Sequence, residues 1–203
     1  MPLLNPGEVL SEQSPHVSMI PAATRQNWSA TVNEIECEVQ IRSNAILLDV
    51  LRDQVGTLGA KRGCDMGTCG CCAVLVDGEP RLSCLTLAAE VEGRAVTTVE
   101  GLAVGHHLHP IQNTFAEYGG SQCGFCTPGF LVVISALLEE NQDPSDSEIK
   151  HAIDGNLCRC TGYQQIVDSV RAAARILREG TGTPDSTDAQ ADPHPGLGDG
   201  EKN

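Results

Sequence analysis

Cysteines are the side chains most able to do chemistry in this sequence, which has ten of them in 203 residues. Four are separated in turn by four, two and eleven residues: Cys64, Cys69, Cys72 and Cys84. The spacing Cys-x4-Cys-x2-Cys with a more distant fourth cysteine is typical of a plant-type [2Fe-2S] centre. Glycines lie where such a loop must curl around a cluster and direct N–H groups at its sulfurs: Gly63, Gly67 and Gly70.

Cys71 lies beside Cys72, and consecutive side chains cannot share one inward direction, so we predict that Cys71 is not a ligand. Two alternatives remain for this set. Zinc favours two short Cys pairs held as a group of four, and the thiols could also be free or disulfide-bonded. The set has one close trio and one distant cysteine, which favours iron and sulfide.

A second set consists of two close pairs that thirty-one residues separate: Cys123, Cys126, Cys158 and Cys160. This spacing alone fits either zinc or a [2Fe-2S] cluster. Each pair is followed by a threonine and then by an apolar helical pattern. Thr127 and Thr161 are predicted to cap these helices, whose N-termini would stabilise a thiolate-rich, anionic centre. This context favours iron, and zinc stays open on spacing.

The remaining candidate ligands have simpler interpretations. Cys37 alternates with apolar residues and is predicted to be a core residue. The histidines cluster near the middle of the chain: His106, His107 and His109. Because both cysteine sets already have four members, we interpret these histidines as part of a solvated linker rather than as ligands of a Rieske-type centre.

The secondary-structure pattern changes near residues 101–107. Before it, Ile35–Ile41 alternates as a strand, and Ala73–Leu82 reads as two strands about an Asp-Gly turn. A helix with Ser43 or Asn44 as cap lies between them. After it, four helices are predicted near residues 109–118, 127–140, 145–155 and 162–178, the third opened by the capping box Ser145-x-x-Glu148. This predicts a small α+β domain followed by a helical bundle.

Composition limits the possible partners and compartments. Thirteen basic and twenty-seven acidic residues give a net charge of -14, and no basic cluster offers a nucleic-acid surface. No secretory signal is visible in the first thirty residues, so we expect reduced cysteines in the cytoplasm. The longest apolar stretch, Gly129–Leu138, is ten residues, short of the roughly twenty that span a bilayer. Residues 1–27 and 181–203 are predicted to be disordered or bound to a partner.

The two cysteine sets in this order resemble the iron-sulfur subunit of the molybdenum hydroxylases, the xanthine dehydrogenase, aldehyde oxidoreductase and aerobic carbon monoxide dehydrogenase family. The specific motifs are QCGFCTPG at Gln122–Gly129 and GNLCRCTGYQ at Gly155–Gln164. The resemblance covers about residues 28–180. It implies an α+β chain, with a plant-type ferredoxin β-grasp domain at residues 28–105 and an all-α four-helix [2Fe-2S] domain at residues 106–180.

The resemblance also implies cofactors and partners. Two [2Fe-2S] clusters would be bound to this chain, with the bundle cluster nearer a molybdopterin cofactor, beside Gln122 and Cys160. The other cluster would lie nearer an exit, usually FAD. Both outer cofactors would belong to other chains, a large molybdopterin-binding subunit and a flavoprotein subunit, in a dimer of heterotrimers. Cys71 departs from the family, which more often has Ala or Ser there.

Three functions follow from these observations. The first is an electron-transfer subunit of a molybdenum-dependent hydroxylase, with substrate chemistry assigned to partner chains because the sequence shows no catalytic base and no nucleotide-binding glycine motif. The second is a free-standing soluble ferredoxin, which would purify without larger partners. The third is a zinc-stapled interaction module, which would be colourless.

Overall fold

A five-stranded mixed sheet forms the first half of the part of the chain that the computed structural model describes, residues 24–180. Its order is β2-β1-β5-β3-β4, with β1 and β5 parallel and the other neighbours antiparallel. The strands are β1 (Arg25–Val32), β2 (Ile35–Arg42), β3 (Ala73–Val76), β4 (Glu79–Leu82) and β5 (Ala95–Thr97). The sheet thus begins before residue 28, where the first domain was predicted to start. Residues 1–23 and 181–203, predicted to be disordered or bound to a partner, lie outside the described residues.

Tight turns join the two hairpins. Asp77 and Gly78 have φ of 50° and 84°, and Asn33 and Glu34 have φ of 51° and 66°. Two left-handed residues in succession match the twist of antiparallel strands, which is why Asp-Gly is a strong hairpin sequence. The structure confirms the predicted hairpin of β3 and β4 and the alternating strand β2.

A helical segment crosses under the sheet as α1 (Leu47–Asp49) and continues as a π-helix over Val50–Val55. The predicted caps Ser43 and Asn44 are wrong, because the segment begins after Ile46 without a side-chain cap. The Leu47 N–H instead donates to the carbonyl oxygen of Thr86 at 2.8 Å. A distant loop therefore provides the acceptor that a local cap would have provided.

Four helices form the second half: α2 (Pro110–Glu117), α3 (Thr127–Glu140), α4 (Asp146–Ala152) and α5 (Gln164–Glu179). The capping box of Ser145 and Glu148 is confirmed. The predicted caps Thr127 and Thr161 are wrong, since the N-cap residues of α3 and α5 are Cys126 and Tyr163 and neither makes a side-chain cap bond.

Two hydrophobic cores correspond to these halves, and a third contact joins them. The first core lies between the sheet and the α1 segment, and the second lies among the four helices. In β3 the side chains of Val74 and Val76 enter the first core, while Ala73 and Leu75 pack against Val132 of α3. Because β3 is buried on both faces, the sheet and the helices share one strand.

The connection between the halves is an exposed turn. Val104 and His107 exchange backbone hydrogen bonds of 3.0 Å in both directions, and Gly105 has φ of 62°. His106 and His107 are exposed, as predicted for a linker, whereas His109 is half-buried. No helix within residues 24–180 has the length and apolar character needed to cross a membrane.

Candidate metal centres

The first cysteine set lies on the irregular loop before β3 and just after β4. Left-handed backbone at Gly67 and Gly70, with φ of 72° and 70°, folds this loop back on itself. The loop and the end of the hairpin bring four cysteines together, two buried and two half-buried: Cys69, Cys72, Cys64 and Cys84. These are the four that the spacing selects.

The thiols of this set lie in two pairs. Cys64 is within hydrogen-bonding reach of Cys69, and Cys84 is within reach of Cys72. Hydrogen bonds from backbone N–H groups, led by that of Met66, lower the pKa of Cys64 to about 6. Burial, followed by the bond to Cys72, raises the pKa of Cys84 to about 12. One thiol of the set is thus prepared as a thiolate by the backbone.

The second set lies between two loops at one end of the helices. Cys123 and Cys126 precede α3, and Cys158 and Cys160 precede α5. Here too the thiols are paired, Cys123 with Cys160 and Cys126 with Cys158. The Cys123–Cys160 pair is exposed, and the other pair is half-buried.

The surroundings of the second set shift the pKa values of its thiols in opposite directions. Burial raises the pKa of Cys126 to about 12. Burial also opposes the Cys158 thiolate, but hydrogen bonds from the Thr161 hydroxyl at 3.2 Å and the Thr161 N–H at 3.5 Å outweigh it and lower the pKa of Cys158. Thr161 is not the N-cap residue of α5, but it supports this sulfur and its hydroxyl oxygen also accepts from the Tyr163 N–H at 3.2 Å.

The pairing of the thiols bears on which group they fit. Within residues 24–180 no three Cys, His, Asp or Glu side chains are arranged to hold a single metal ion. A zinc site needs four ligands around one point, whereas a [2Fe-2S] cluster takes two ligands on each of two irons. Two thiol pairs in each set therefore fit the binuclear group.

The two sets meet where the loop before β3 contacts the start of α3. A Cβ at Gly129 would lie 2.4 Å from the carbonyl oxygen of Gly70, and a Cβ at Gly70 would lie 2.5 Å from that of Gly155. Packed atoms do not approach so closely. The contact therefore requires glycine at positions 70 and 129.

Two hydrogen bonds cross the same contact. The Leu157 N–H donates to the carbonyl oxygen of Cys69 at 3.0 Å, and Asn156 Nδ2 donates to that of Gly70 at 3.1 Å. Leu157 directly precedes Cys158. One backbone hydrogen bond thus links a residue of the first set to the neighbour of a residue of the second.

Cys71 lies between the two sets and is 4% exposed. Burial, followed by the charge of Cys69, raises its pKa to about 12, and the charge of Cys126 acts in the same direction. A Cβ at Gly63 would lie 3.0 Å from Cys69 Sγ and 3.1 Å from Cys71 Sγ. Cys71 Sγ therefore lies beside Cys69, to whose carbonyl oxygen it donates at 3.7 Å.

Exposed residues flank both sets. Gln122, predicted as a cofactor contact, is exposed beside Cys123. Met66 and Leu85 are 70% and 66% exposed next to the first set, and Phe125 and Leu157 are 47% and 54% exposed next to the second.

Sequence reasoning missed two residues that hold the second set. The Tyr163 hydroxyl accepts from the Cys158 N–H at 3.0 Å and donates to the Asn156 carbonyl at 3.0 Å. Asn156 is buried and reaches the other half of the molecule. Both residues lie within the motif GNLCRCTGYQ, but the spacing of its cysteines does not indicate a role for either of them.

Comparison with known domain families gives two matches. A 2Fe-2S iron-sulfur cluster binding domain matches residues 19–116, and a [2Fe-2S] binding domain matches residues 98–171. Together they include all eight cysteines of the two sets.

Individual proteins are similar over most of the described chain. The xanthine dehydrogenase iron-sulfur-binding subunit of Escherichia coli O157:H7 is 44% identical over 142 residues, which is 69% of this chain and 89% of that subunit. The aldehyde oxidoreductase of Megalodesulfovibrio gigas is 43% identical over 150 residues, which is 72% of this chain but 16% of that protein. A chain of quinoline 2-oxidoreductase from Pseudomonas putida 86 superposes with a TM-score of 0.73 at 43% identity, covering 77% of this chain and 98% of its own.

Proposed function

Because this chain belongs to the family of iron-sulfur subunits of the molybdenum hydroxylases, we propose that it is the electron-transfer subunit of a hydroxylase or dehydrogenase complex of that kind. Membership in a family of subunits favours this role over that of a free-standing ferredoxin. The observation that carries the proposal is the grouping of eight thiols into two sets, each made of two pairs.

The ligands of the first cluster are Cys64, Cys69, Cys72 and Cys84, and those of the second are Cys123, Cys126, Cys158 and Cys160. When bound, a [2Fe-2S] cluster takes up and releases single electrons. The chain supplies the thiolates, the backbone N–H groups on Cys64 and the Thr161 hydroxyl on Cys158. Zinc is disfavoured because both matching domain families bind [2Fe-2S] clusters.

The layout proposed is a β-grasp ferredoxin domain followed by a four-helix domain. A mixed sheet crossed by one helical segment and a separate core of four helices support it. The boundary falls in the exposed turn at Val104–His107.

The second set is proposed to face the molybdopterin cofactor of a large partner subunit, with Gln122 and Cys160 against the pterin. The exposure of both residues supports this direction. The first set is proposed to face a flavoprotein subunit carrying FAD, across the apolar side chains of Met66 and Leu85. We also propose that two such heterotrimers form a dimer. A cytoplasmic location is proposed because ten free cysteines suit a reducing compartment.

The first experiment is iron and acid-labile sulfide analysis of the full chain purified without oxygen. We expect about four of each per chain, the content of two [2Fe-2S] clusters. About two of each, or zinc in place of iron, would contradict the assignment. Affinity purification from the native host then tests the subunit role, which predicts that larger molybdenum- and flavin-containing chains elute with this one.

A further inference from the structure

The segment Asn156–Cys158 provides the hydrogen-bonded connection between the two thiol sets, beside the glycine contact. Its first residue donates through the side chain to the carbonyl of Gly70, and its second donates through the backbone to the carbonyl of Cys69. Its third residue is a proposed ligand of the second cluster. This three-residue segment thus bonds to the loop of the first thiol set and contributes one cysteine to the second.

Tyr163 fixes this segment from the opposite side. The hydroxyl lies 3.0 Å from the Asn156 carbonyl oxygen and 3.0 Å from the Cys158 nitrogen, so it donates to one and accepts from the other. One hydroxyl therefore binds both ends of the segment. The ring packs edge-on against Phe130, with ring centroids 6.1 Å apart and an interplanar angle of 70°.

The backbone at Tyr163 is held in an uncommon conformation. Its φ of 72° is left-handed, and it follows Gly162 with φ of 67°. The other left-handed non-glycine residues in the described part of the chain are Asn33, Glu34 and Asp77, which lie in hairpin turns. A bulky residue keeps this conformation only where its surroundings enforce it, and such residues cluster at functional sites.

We propose that Tyr163 is a positioning residue that holds Asn156–Cys158 rigid and so fixes the separation and the bonded connection between the two centres. The inference rests on the proposed function, because the connection matters only if both sets hold clusters. Clusters held by the two sets would supply single-electron transfer, and the residues of this chain would fix how far apart and in what orientation the clusters are held. Tyr163 bonds to the backbone of Cys158 and not to its sulfur, so its role differs from that of Thr161.

The test compares Tyr163→Phe with Tyr118→Phe in the full chain. Phenylalanine keeps the ring against Phe130 and removes only the hydroxyl, and Tyr118 is the one other tyrosine of the sequence. Hydrogen exchange is followed by mass spectrometry in peptides that span residues 155–161. We expect about tenfold faster exchange in Tyr163→Phe, the factor that corresponds to loss of one hydrogen bond, and no change in Tyr118→Phe.

A second readout reports the centres themselves. In the iron-loaded, fully dithionite-reduced chain, the spin–spin splitting in the EPR spectrum depends on the distance between the clusters and on their orientation. We expect Tyr163→Phe to broaden or shift this splitting at unchanged iron content. Exchange and splitting identical to those of Tyr118→Phe would overturn the proposal.

Asn156→Asp provides an independent variant if Tyr163→Phe does not fold. The substitution keeps the shape of the side chain but places a carboxylate oxygen against the Gly70 carbonyl, so the same exchange and EPR changes are expected. Failure of the wild-type chain to bind about four irons would instead refute the proposed function. The exchange comparison can still be made on the metal-free chain, so the two failures are distinguishable.

Discussion

The carbonyl oxygen of Gly70 occupies the space that a side chain at Gly129 would need, 2.4 Å from the position of its Cβ. The first glycine belongs to the loop of the first thiol set, and the second lies in the first turn of α3, three positions after Cys126. The two halves of the molecule therefore meet backbone to backbone at the point where the proposed clusters are held.

Gly129→Ala tests this contact. Alanine favours a helix interior by about 1 kcal/mol relative to glycine, but overpacking against a fixed backbone atom typically costs about 1–3 kcal/mol. We expect the clash to dominate and the free energy of unfolding to fall, measured by urea denaturation of the metal-free chain. Gly155→Ala is the control, because a Cβ there would meet no atom within 4 Å. Equal stability of the two variants would show that the contact is loose.

Cys71→Ala should leave the cluster content intact. The thiol is buried and lies beside Cys69, but Cys71 falls outside the Cys-x4-Cys-x2-Cys spacing, and alanine keeps the site apolar. Iron analysis and EPR should match the wild type, at about four irons per chain. Cys72→Ala is the matched comparison and should lose the signal of one cluster. Loss of that signal in Cys71→Ala would mean that Cys71 is the ligand.

Cys84→Ser tests the proposed order of the centres in the assembled complex. Loss of the first cluster should leave the molybdenum centre reducible by whichever substrate the purified complex oxidises, but should abolish turnover with the external acceptor. Cys160→Ser should instead impair electron exit from molybdenum. Normal steady-state turnover in the Cys84 variant would reverse or remove the proposed order.

His109 gives the stability of α2 a pH dependence. Its Nδ1 accepts from the Ile111 N–H at 3.3 Å, which requires the neutral ring, and burial lowers its pKa while Glu139 opposes the shift. The unfolded chain therefore binds the proton at a higher pH than the folded one. The contribution is complete above the ordinary value of 6.5 and decreases as the pH falls below it.

The variant His109→Asn isolates this pH dependence, because asparagine also caps helices and does not titrate. Between pH 7.5 and 5.5 the wild type should lose up to about 1 kcal/mol more unfolding free energy than the variant, the value of one helix cap. Urea titrations of the two chains at each pH measure the difference. Parallel losses in the two chains would show that His109 is not the titrating group.

Local signals in the sequence predicted the features that local interactions create. The Asp77-Gly78 turn, the Ser145 capping box and the Thr127–Glu140 helix depend on residues within a few positions of each other. The cysteine spacing predicts two groups of four ligands, an assignment that the iron analysis tests.

The remaining features depend on distant partners. The strand β5 has three residues and pairs with β1 through Thr31 and Ala95, so its pattern is too short to recognise alone. The bond from Asn156 to Gly70 spans 86 positions. The role of Asn156 could not be predicted because it arises only when the two halves pack together. Tyr163 bonds to residues five and seven positions away, but the cysteine spacing carries no signal for either bond.

The exposed turn at Val104–His107 joins the two halves but does not determine how they pack against each other. Because the glycine contact and the bonds of Asn156–Cys158 set the spacing between the centres, the covalent link does not. Its contribution is to keep two complementary partners at a high effective concentration. Lengthening it at Gly105 should therefore leave the EPR splitting unchanged, and halves made as separate polypeptides should co-elute. The distance between the centres is set by the interface between the two halves. The linker can therefore change in length or sequence during evolution without altering the distance that an electron must cross.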